Sequence, residues 1–224
     1  MKSFFNSQLF LLLKTARPKQ WLKNFALYAA LVFSGFFFYK PEDGPSYFYL
    51  VSYAFIIFCL LTSSTYILND LFDIEADRKH PFKKNRPLAS GKLSIPTAIF
   101  AIAFCLALVF WLSLPLTLVF KLLIFAYLIL QILYSLYFKQ IAILDIISIA
   151  AGFLIRVYAG AVVVNLHMSV WFLLTVISMS LFLAVGKRQS ERTLMTEHKL
   201  SFVRKSLNTY SARLLDQYTS IFAT

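Results

Sequence analysis

The sequence predicts an all-α membrane protein, a polytopic bundle of transmembrane helices. Of its 224 residues, 59% are hydrophobic and only 14% are charged, which is far more apolar surface than a soluble domain can bury. The apolar residues form long runs, and a helix that crosses a hydrocarbon core about 30 Å thick needs about 20 of them in succession. We therefore predict one membrane-embedded domain over residues 1–224.

Six spans are expected in chain order, followed by the start of a seventh at the C-terminus. Pro41 breaks the chain between the first two spans and Pro115 separates the third from the fourth. Ser94 is a suitable N-cap for the third span, with Pro96 in its first turn. The apolar runs place the six spans, to within a few residues, at 22–39, 47–68, 95–114, 117–137, 141–164 and 168–186.

The segment before the first span and the distribution of basic residues give the orientation. The apolar patch Leu9 to Leu13 is too short to span, so we expect an interfacial helix there. All Lys and Arg except Lys40, Lys121 and Arg156 precede the first span or follow the second, fourth and sixth. By the positive-inside rule, the N-terminus and those loops are cytoplasmic. The same distribution explains the net charge of +12, so no nucleic-acid partner is needed.

Residues 69–94 are the most polar segment and follow the second span directly. Asp70, Asp73 and Asp77 are spaced so that, on one continuous helix, they lie within about 60° of each other. Three carboxylates on one face need solvation or a bridging cation, and Mg²⁺ prefers carboxylate oxygens together with substrate phosphates. We therefore predict a Mg²⁺-bound diphosphate site with these three aspartates as its metal ligands and catalytic groups.

Basic residues follow the aspartates closely. After His80-Pro81 breaks the helix, Lys83 and Arg86 bring positive charge near any anion that the metal holds. The alternative is a solvated loop whose bases only obey membrane topology. The acids on one face, ahead of the bases and at the mouth of the bundle, favour the diphosphate site.

Two further charges, Asp145 and Arg156, lie inside the predicted fifth span. They are eleven residues apart, hence about 16 Å along a helix, and cannot pair directly. An ionisable group within a span faces the bundle interior or a water-filled cavity. We expect Asp145, near the cytoplasmic end, to reach the site and the deeper Arg156 to have a structural partner.

Two motifs resemble a known family. The pattern Asn-Asp-x-x-Asp-x-x-x-Asp at 69–77, followed by His80-Pro81, Arg86-Pro87 and Ser90-Gly91, resembles the first aspartate-rich motif of the UbiA-type intramembrane prenyltransferases. Within that superfamily, the opening Arg-Pro-Lys-Gln-Trp-Leu-Lys-Asn at 17–24 is similar to the branch of decaprenyl-phosphate phosphoribosyltransferases.

The resemblance implies a function and a longer bundle. Members of the family have nine spans, so this chain is expected to be short at its C-terminus. The implied reaction transfers 5-phosphoribose from phosphoribosyl diphosphate to a polyprenyl phosphate, releases diphosphate and serves cell-envelope biosynthesis. The cofactor would be Mg²⁺ and the location a bacterial inner (plasma) membrane, while a homo-oligomer stays open.

The resemblance also implies binding residues around the aspartates. Asn69 would help to orient the metal-bound donor, and Lys19 or Lys23 would contact a phosphate, although bases beside Trp21 are also typical of interfacial anchoring. Tyr134 and Lys139, where the fourth span ends, resemble donor-phosphate contacts.

The last loop distinguishes the branches of the family. Relatives that use prenyl diphosphates carry a second Asp-x-x-x-Asp there, whereas this sequence has Lys187, Arg188 and Glu191. Lys187 and Arg188 are therefore predicted substrate-binding residues of the phosphoribosyl branch, although both are also what membrane topology requires. Two alternatives remain: a prenyltransferase acting on an aromatic acceptor, and a non-catalytic membrane protein such as a transporter or a truncated relative.

Overall fold

Helices make up the ordered elements of the computed structural model, which describes residues 2–198, 217, 218, 220 and 221, and no strand occurs among them. The predicted start of a seventh span lies largely outside these residues. The elements are α1 (Lys2–Ala16), α2 (Ala29–Phe33), α3 (Tyr47–Phe72), α4 (Ile74–Lys79), α5 (Ile95–Ser113), α6 (Leu118–Leu136), α7 (Leu144–Val163) and α8 (Val170–His198), with 3-10 helices at Pro18–Tyr28, Lys83–Asn85 and Phe138–Gln140.

Within residues 2–198, five helices are long and apolar enough to cross a membrane: α3, α5, α6, α7 and the Val170–Ser190 part of α8. This confirms the predicted class of polytopic helical membrane protein. Of the five, α3 and α7 are the most buried, and α3 packs against α5, α6 and the 3-10 helix Pro18–Tyr28. The other three spans are buried over a smaller share of their length, and each leaves several large apolar side chains exposed, as lipid-facing helices do.

The predicted first span at 22–39 is wrong as a single helix. The chain instead forms the 3-10 helix Pro18–Tyr28 and then α2, which ends at Phe33. The segment stops before Gly35, whose φ of +77° is left-handed. Its start carries Asn24, which is fully buried and hydrogen-bonded inside the bundle, while the neighbouring Leu22 and Phe25 are exposed.

The 3-10 helix Pro18–Tyr28 lies directly on the backbone of α7. Gly160 makes this contact possible, because a Cβ atom at that position would lie 1.8 Å from the Leu27 carbonyl oxygen. Small residues let two backbones approach closely inside a membrane bundle. Gly160 therefore fixes how closely the N-terminal segment packs on the centre of the bundle.

The helix ends predicted from capping residues are confirmed. The Ser94 hydroxyl accepts a hydrogen bond from the Thr97 N–H at 3.2 Å and caps α5. Within the polar segment, α4 stops at Lys79, immediately before His80-Pro81. Gln8 of α1 holds this loop in place, because its side chain donates to the Lys92 carbonyl at 2.9 Å.

Candidate functional site

The three aspartates do not lie on one uninterrupted helix. Helix α3 ends at Phe72, Asp73 adopts φ −93° and ψ 5° between two helices, and α4 begins at Ile74. The continuous face expected from the spacing is therefore broken at its middle residue. Asp70 and Asp77 stay together, whereas Asp73 pairs with a different part of the protein.

Arg86 joins the two buried aspartates. Its Nη1 atom is 3.1 Å from Asp70 Oδ1 and 2.6 Å from Asp77 Oδ2, and both carboxylates are almost wholly buried. Asp70 has a second partner in Arg17, whose Nη2 is 2.5 Å from the same Oδ1. Two guanidinium groups therefore converge on one carboxylate, as the predicted concentration of bases around these acids requires.

Asp73 meets two other residues that were predicted for the site. Lys139, in the 3-10 helix after α6, forms an ion pair with Asp73, and the Asn69 amide donates to Asp73 Oδ2 at 3.2 Å. The ion pair connects the end of α3 to the end of α6, 66 residues further along the chain.

The carboxylate groups of the three aspartates are suitable ligands for Mg²⁺, although in this structure they pair with basic side chains. Among the side chains that the structure describes, no three His, Cys, Asp or Glu residues are grouped as a metal site. Carboxylate oxygens are nevertheless what this hard ion prefers, and it is commonly held by one or two carboxylates together with substrate phosphates. In the chemistry of their donor atoms, Asp70, Asp73 and Asp77 therefore fit this ion.

Arg17 was not among the binding residues predicted from the sequence. Its backbone is left-handed, with φ +54°, which costs about 1 kcal/mol or more for a residue with a side chain. The ion pair with Asp70 offsets that cost, as does the position of the guanidinium 5.3 Å from the centre of the Tyr66 ring. The only sequence signal was its place directly before Pro18 in the opening motif.

Arg156 is buried at the centre of the bundle, 4% exposed. It donates from Nε to Asn24 Oδ1 at 2.9 Å, from Nη1 to the Gly152 carbonyl at 2.7 Å and from Nη2 to the Tyr127 hydroxyl at 2.6 Å. The Asn24 amide in turn donates to Thr62 Oγ1 at 3.2 Å. The structural partners expected for Arg156 are therefore neutral groups from three elements.

Lys23 precedes Asn24 on the 3-10 helix, outside the five candidate spans. Burial, together with the positive charges of Lys187, Arg156 and Arg17, lowers the pKa of Lys23 to about 8. The charges acting on this ammonium are thus of its own sign. The immediate surroundings of Lys23 are therefore electropositive.

Asp145 and Arg188 form an ion pair in which both side chains are fully buried. Arg188 Nε is 2.5 Å from Asp145 Oδ2, and Nη2 donates to Oδ1 at 3.1 Å. Tyr134 also donates to Asp145 Oδ1 at 3.1 Å. Asp145 is enclosed between α6, α7 and α8, where it contacts two of the predicted binding residues, Tyr134 and Arg188.

The remaining predicted residues are more peripheral. Lys19 is exposed and Lys83 is half-buried. The Lys83 N–H donates to His80 Nδ1 at 3.4 Å, and the Phe82 N–H donates to the same atom at 3.2 Å. Burial and the charge of Lys83 lower the pKa of His80. His80 is thus a neutral cap of the loop and not a charged group of the site.

Curated relatives resemble the chain over almost its whole length. The decaprenyl-phosphate phosphoribosyltransferase of Mycolicibacterium smegmatis is 38% identical over 95% of this chain and 66% of its own length. The protein of that name from Corynebacterium glutamicum is 35% identical over 95% of this chain and 64% of its own. The chain therefore spans slightly less than two thirds of these two relatives. The decaprenyl-phosphate phosphoribosyltransferase of Mycobacterium tuberculosis is 35% identical over 94% of this chain and 69% of its own length.

Solved structures share the fold. A UbiA homolog from Archaeoglobus fulgidus bound to GPP and Mg²⁺ superposes with a TM-score of 0.74 at 20% identity, covering 95% of this chain and 75% of that one. A digeranylgeranylglyceryl phosphate synthase superposes with a TM-score of 0.69 at 20% identity, covering 96% of this chain and 76% of that one. The model of the UbiA prenyltransferase family matches residues 21–190. The chain belongs to the UbiA prenyltransferase family.

Proposed function

We propose that this protein transfers 5-phosphoribose from phosphoribosyl diphosphate to a polyprenyl phosphate and releases diphosphate. The observation that carries the proposal is the pairing of each of the three aspartates with a basic side chain at one end of the bundle. Such a set can exchange its internal ion pairs for a metal-bound diphosphate without leaving a charge unpaired. The names of the curated relatives support the ribosyl donor.

Mg²⁺ is the proposed cofactor, held by Asp70, Asp73 and Asp77, with Asn69 orienting the Asp73 carboxylate. When bound, the ion neutralises charge on the donor diphosphate. The UbiA homolog from A. fulgidus binds Mg²⁺ together with GPP, which supports a divalent ion in this fold.

The basic residues that now pair with the carboxylates would then bind the phosphates of the donor. Arg17, Arg86 and Lys139 would take phosphate oxygens, and a guanidinium can do so with two parallel hydrogen bonds. As the bond from ribose C1 to the diphosphate oxygen breaks, its electron pair leaves with the diphosphate and these cations stabilise the growing charge. A phosphate oxygen of the acceptor forms the new bond to C1. That oxygen is already anionic, so no general base is required, in keeping with a neutral His80.

Other predicted contacts complete the proposal. Lys83 and Lys187 remain predicted partners of the leaving diphosphate, and Lys19, Tyr134 and Arg188 remain predicted substrate contacts. We place the site on the cytoplasmic side of a bacterial plasma membrane, because the positive-inside rule puts the N-terminus and the loops after α3 and α6 there. A water-soluble donor would meet the site from that side, while the lipid acceptor would arrive from within the bilayer.

A transfer assay tests this proposal. Purified protein in detergent, given labelled phosphoribosyl diphosphate, Mg²⁺ and a polyprenyl phosphate, is expected to move label into the lipid phase. Asp73→Asn should slow transfer about 100-fold or more, since a metal ligand contributes several kcal/mol and each 1.4 kcal/mol is about tenfold. EDTA should stop it.

A relative of full family length serves as the positive control in that assay. Label that reaches lipid equally fast in the Asp73→Asn variant would refute the metal site. Transfer from a prenyl diphosphate to an aromatic acceptor, with none from phosphoribosyl diphosphate, would favour the prenyltransferase instead.

Donor binding is expected to weaken above about pH 8. Burial and the positive charges of Lys187, Arg156 and Arg17 lower the pKa of Lys23 to about 8, and a bound anion would raise that pKa because it favours the ammonium. Binding therefore takes up a proton at higher pH, so the affinity is constant below about pH 8 and falls up to about tenfold per unit above it. Titrations at about pH 7, 8 and 9 measure this. The Lys23→Met variant should show a flatter profile, and an unchanged one would contradict the assignment.

A further inference from the structure

The 3-10 helix Pro18–Tyr28 arranges its side chains in straight rows. Because this kind of helix has about three residues per turn, positions three apart lie directly above one another. Asn24 and Leu27 belong to a row that is buried in the bundle. Leu22 and Phe25 belong to another row and are 74% and 56% exposed. This second row, called the exposed row below, consists of Lys19, Leu22, Phe25 and Tyr28.

The exposed row runs from the aspartate site toward the opposite end of α3. Its first member, the exposed Lys19, follows two residues after Arg17, which pairs with Asp70 near the end of α3. Its last member, Tyr28, is hydrogen-bonded to Ser52 near the start of α3, with 2.8 Å between the two hydroxyl oxygens. At about 2 Å per residue, the row is about 18 Å long. Its charged end therefore lies beside the site, and the rest of its length is largely apolar.

An apolar groove of about 470 Å³ continues the row at its far end. The Tyr28 ring lies 5.9 Å from the Phe48 ring of α3, and the Tyr28 hydroxyl is already hydrogen-bonded to Ser52. The groove thus presents aromatic rings. Phe25 and Tyr28 belong to the row and to the groove, so the two surfaces are continuous. The aromatic lining consists of Phe25, Tyr28, Phe33, Phe37 and Phe48.

The ligand that matches this surface has a phosphate at one end of a single long apolar chain. The Lys19 ammonium can donate charge-assisted hydrogen bonds to the phosphate. A phosphate monoester carries about 1.5 to 2 negative charges at pH 7, whereas the phosphodiester of a bulk phospholipid carries a single charge and two chains. Inside a bilayer, an apolar chain gains little by leaving lipid, so its packing against the rings decides how tightly it is held.

We propose that the exposed row and the groove bind the polyprenyl phosphate acceptor, with its phosphate at Lys19 and its chain along Leu22 and Phe25 into the groove. This assignment rests on the proposed function, which supplies a lipid of this chemistry, and it gives the route by which that lipid reaches the aspartate site. Only a chain longer than the row reaches the groove. The protein therefore selects long-chain acceptors over short ones.

Native mass spectrometry of the purified chain in detergent tests this assignment with three lipids: decaprenyl phosphate, geranyl phosphate, whose chain is shorter than the row, and phosphatidylglycerol. Decaprenyl phosphate is expected to bind at least about tenfold more tightly than either of the others, because it alone has both the monoester and the chain that fills the groove. Lys19→Met should weaken both prenyl phosphates about tenfold, the effect of losing one charge-assisted hydrogen bond.

Variants of the groove should affect the long chain alone. Phe48→Ala should weaken decaprenyl phosphate about fivefold, because several carbon–carbon contacts are lost, and leave geranyl phosphate within about twofold. Ala29→Phe, which adds a ring to the groove lining without removing any group, should weaken decaprenyl phosphate similarly. Phe104→Ala is the matched control, because Phe104 is an exposed phenylalanine on α5, away from the groove. Thermal melting checks that each variant is folded.

Three outcomes overturn the assignment. In the first, phosphatidylglycerol binds as tightly as decaprenyl phosphate, and the groove then holds only bulk membrane lipid. In the second, the folded Phe48→Ala and Ala29→Phe variants bind decaprenyl phosphate like the wild type. In the third, Phe104→Ala weakens it as much as they do. Failure of the proposed function is a different result: the wild type then binds decaprenyl phosphate in the groove but transfers no labelled ribose to it.

Discussion

Replacing Gly160 with alanine is expected to prevent assembly of the folded bundle. The new Cβ would lie 1.8 Å from the Leu27 carbonyl oxygen, and the Leu27 carbonyl carbon and Cα would be 2.7 and 2.9 Å away. All three are backbone atoms, so no side-chain rotation relieves the clash. Overpacking of a core costs about 1–3 kcal/mol and occasionally more, and a backbone clash belongs at the upper end. Size-exclusion chromatography in detergent and thermal melting measure the loss.

Gly152→Ala is the matched control, eight residues earlier on α7. Its Cβ would meet its nearest neighbour, Arg156 Nη1, at 3.5 Å, which is ordinary van der Waals contact. Because alanine is also the better helix former by about 1 kcal/mol, this variant should be as stable as the wild type or nearly so. Equal stability of the two variants would disprove the close packing of the 3-10 helix on α7.

The second large effect is expected at the buried ion pair of Asp145 and Arg188. Arg188→Met removes the partner of a fully buried carboxylate, and breaking such a pair costs about 3–5 kcal/mol. The double variant Asp145→Asn, Arg188→Met should recover part of that loss, because it leaves no isolated charge. Melting temperatures of the single and double variants form the cycle that measures the coupling.

Lys187→Met provides the comparison for this pair. Lys187 is the preceding residue of α8 and carries the same charge, but its side chain is exposed. Its replacement should change stability by no more than about 0.5 kcal/mol. If Arg188→Met were equally mild, the ion pair would not hold α8 against α7.

Much of the fold was predictable because long apolar runs and capping residues act locally. The five spans, the cap at Ser94 and the break at His80-Pro81 each depend on a few neighbouring residues. The interruption at Asp73 was not predictable in this way, since residue spacing gives angles only on a helix assumed to be continuous. The prediction of the first span was wrong for a similar reason. Its apolar composition indicates a spanning helix and gives no sign of the hydrogen bonds that Asn24 makes inside the bundle.

The partners of the charged residues could be predicted only in part. Asn69, Asp73 and Lys139 were all predicted for the site and do meet. Asn24 and Arg156 are 132 residues apart in the chain, and no pattern in the sequence near either residue predicts that they are in contact. A signal did exist for Arg188, because an acid such as Asp145 inside a span needs a cation at the same depth.

The short distance along the chain from α1 to Arg17 has a mechanical consequence. Arg17 is the residue directly after α1, so its guanidinium is tied to that helix without any intervening linker. The outer side of α1 exposes Leu9, Phe10 and Leu13, an apolar surface of the kind that an interfacial helix presents to lipid. A displacement of α1 would therefore be transmitted directly to the ion pair between Arg17 and Asp70.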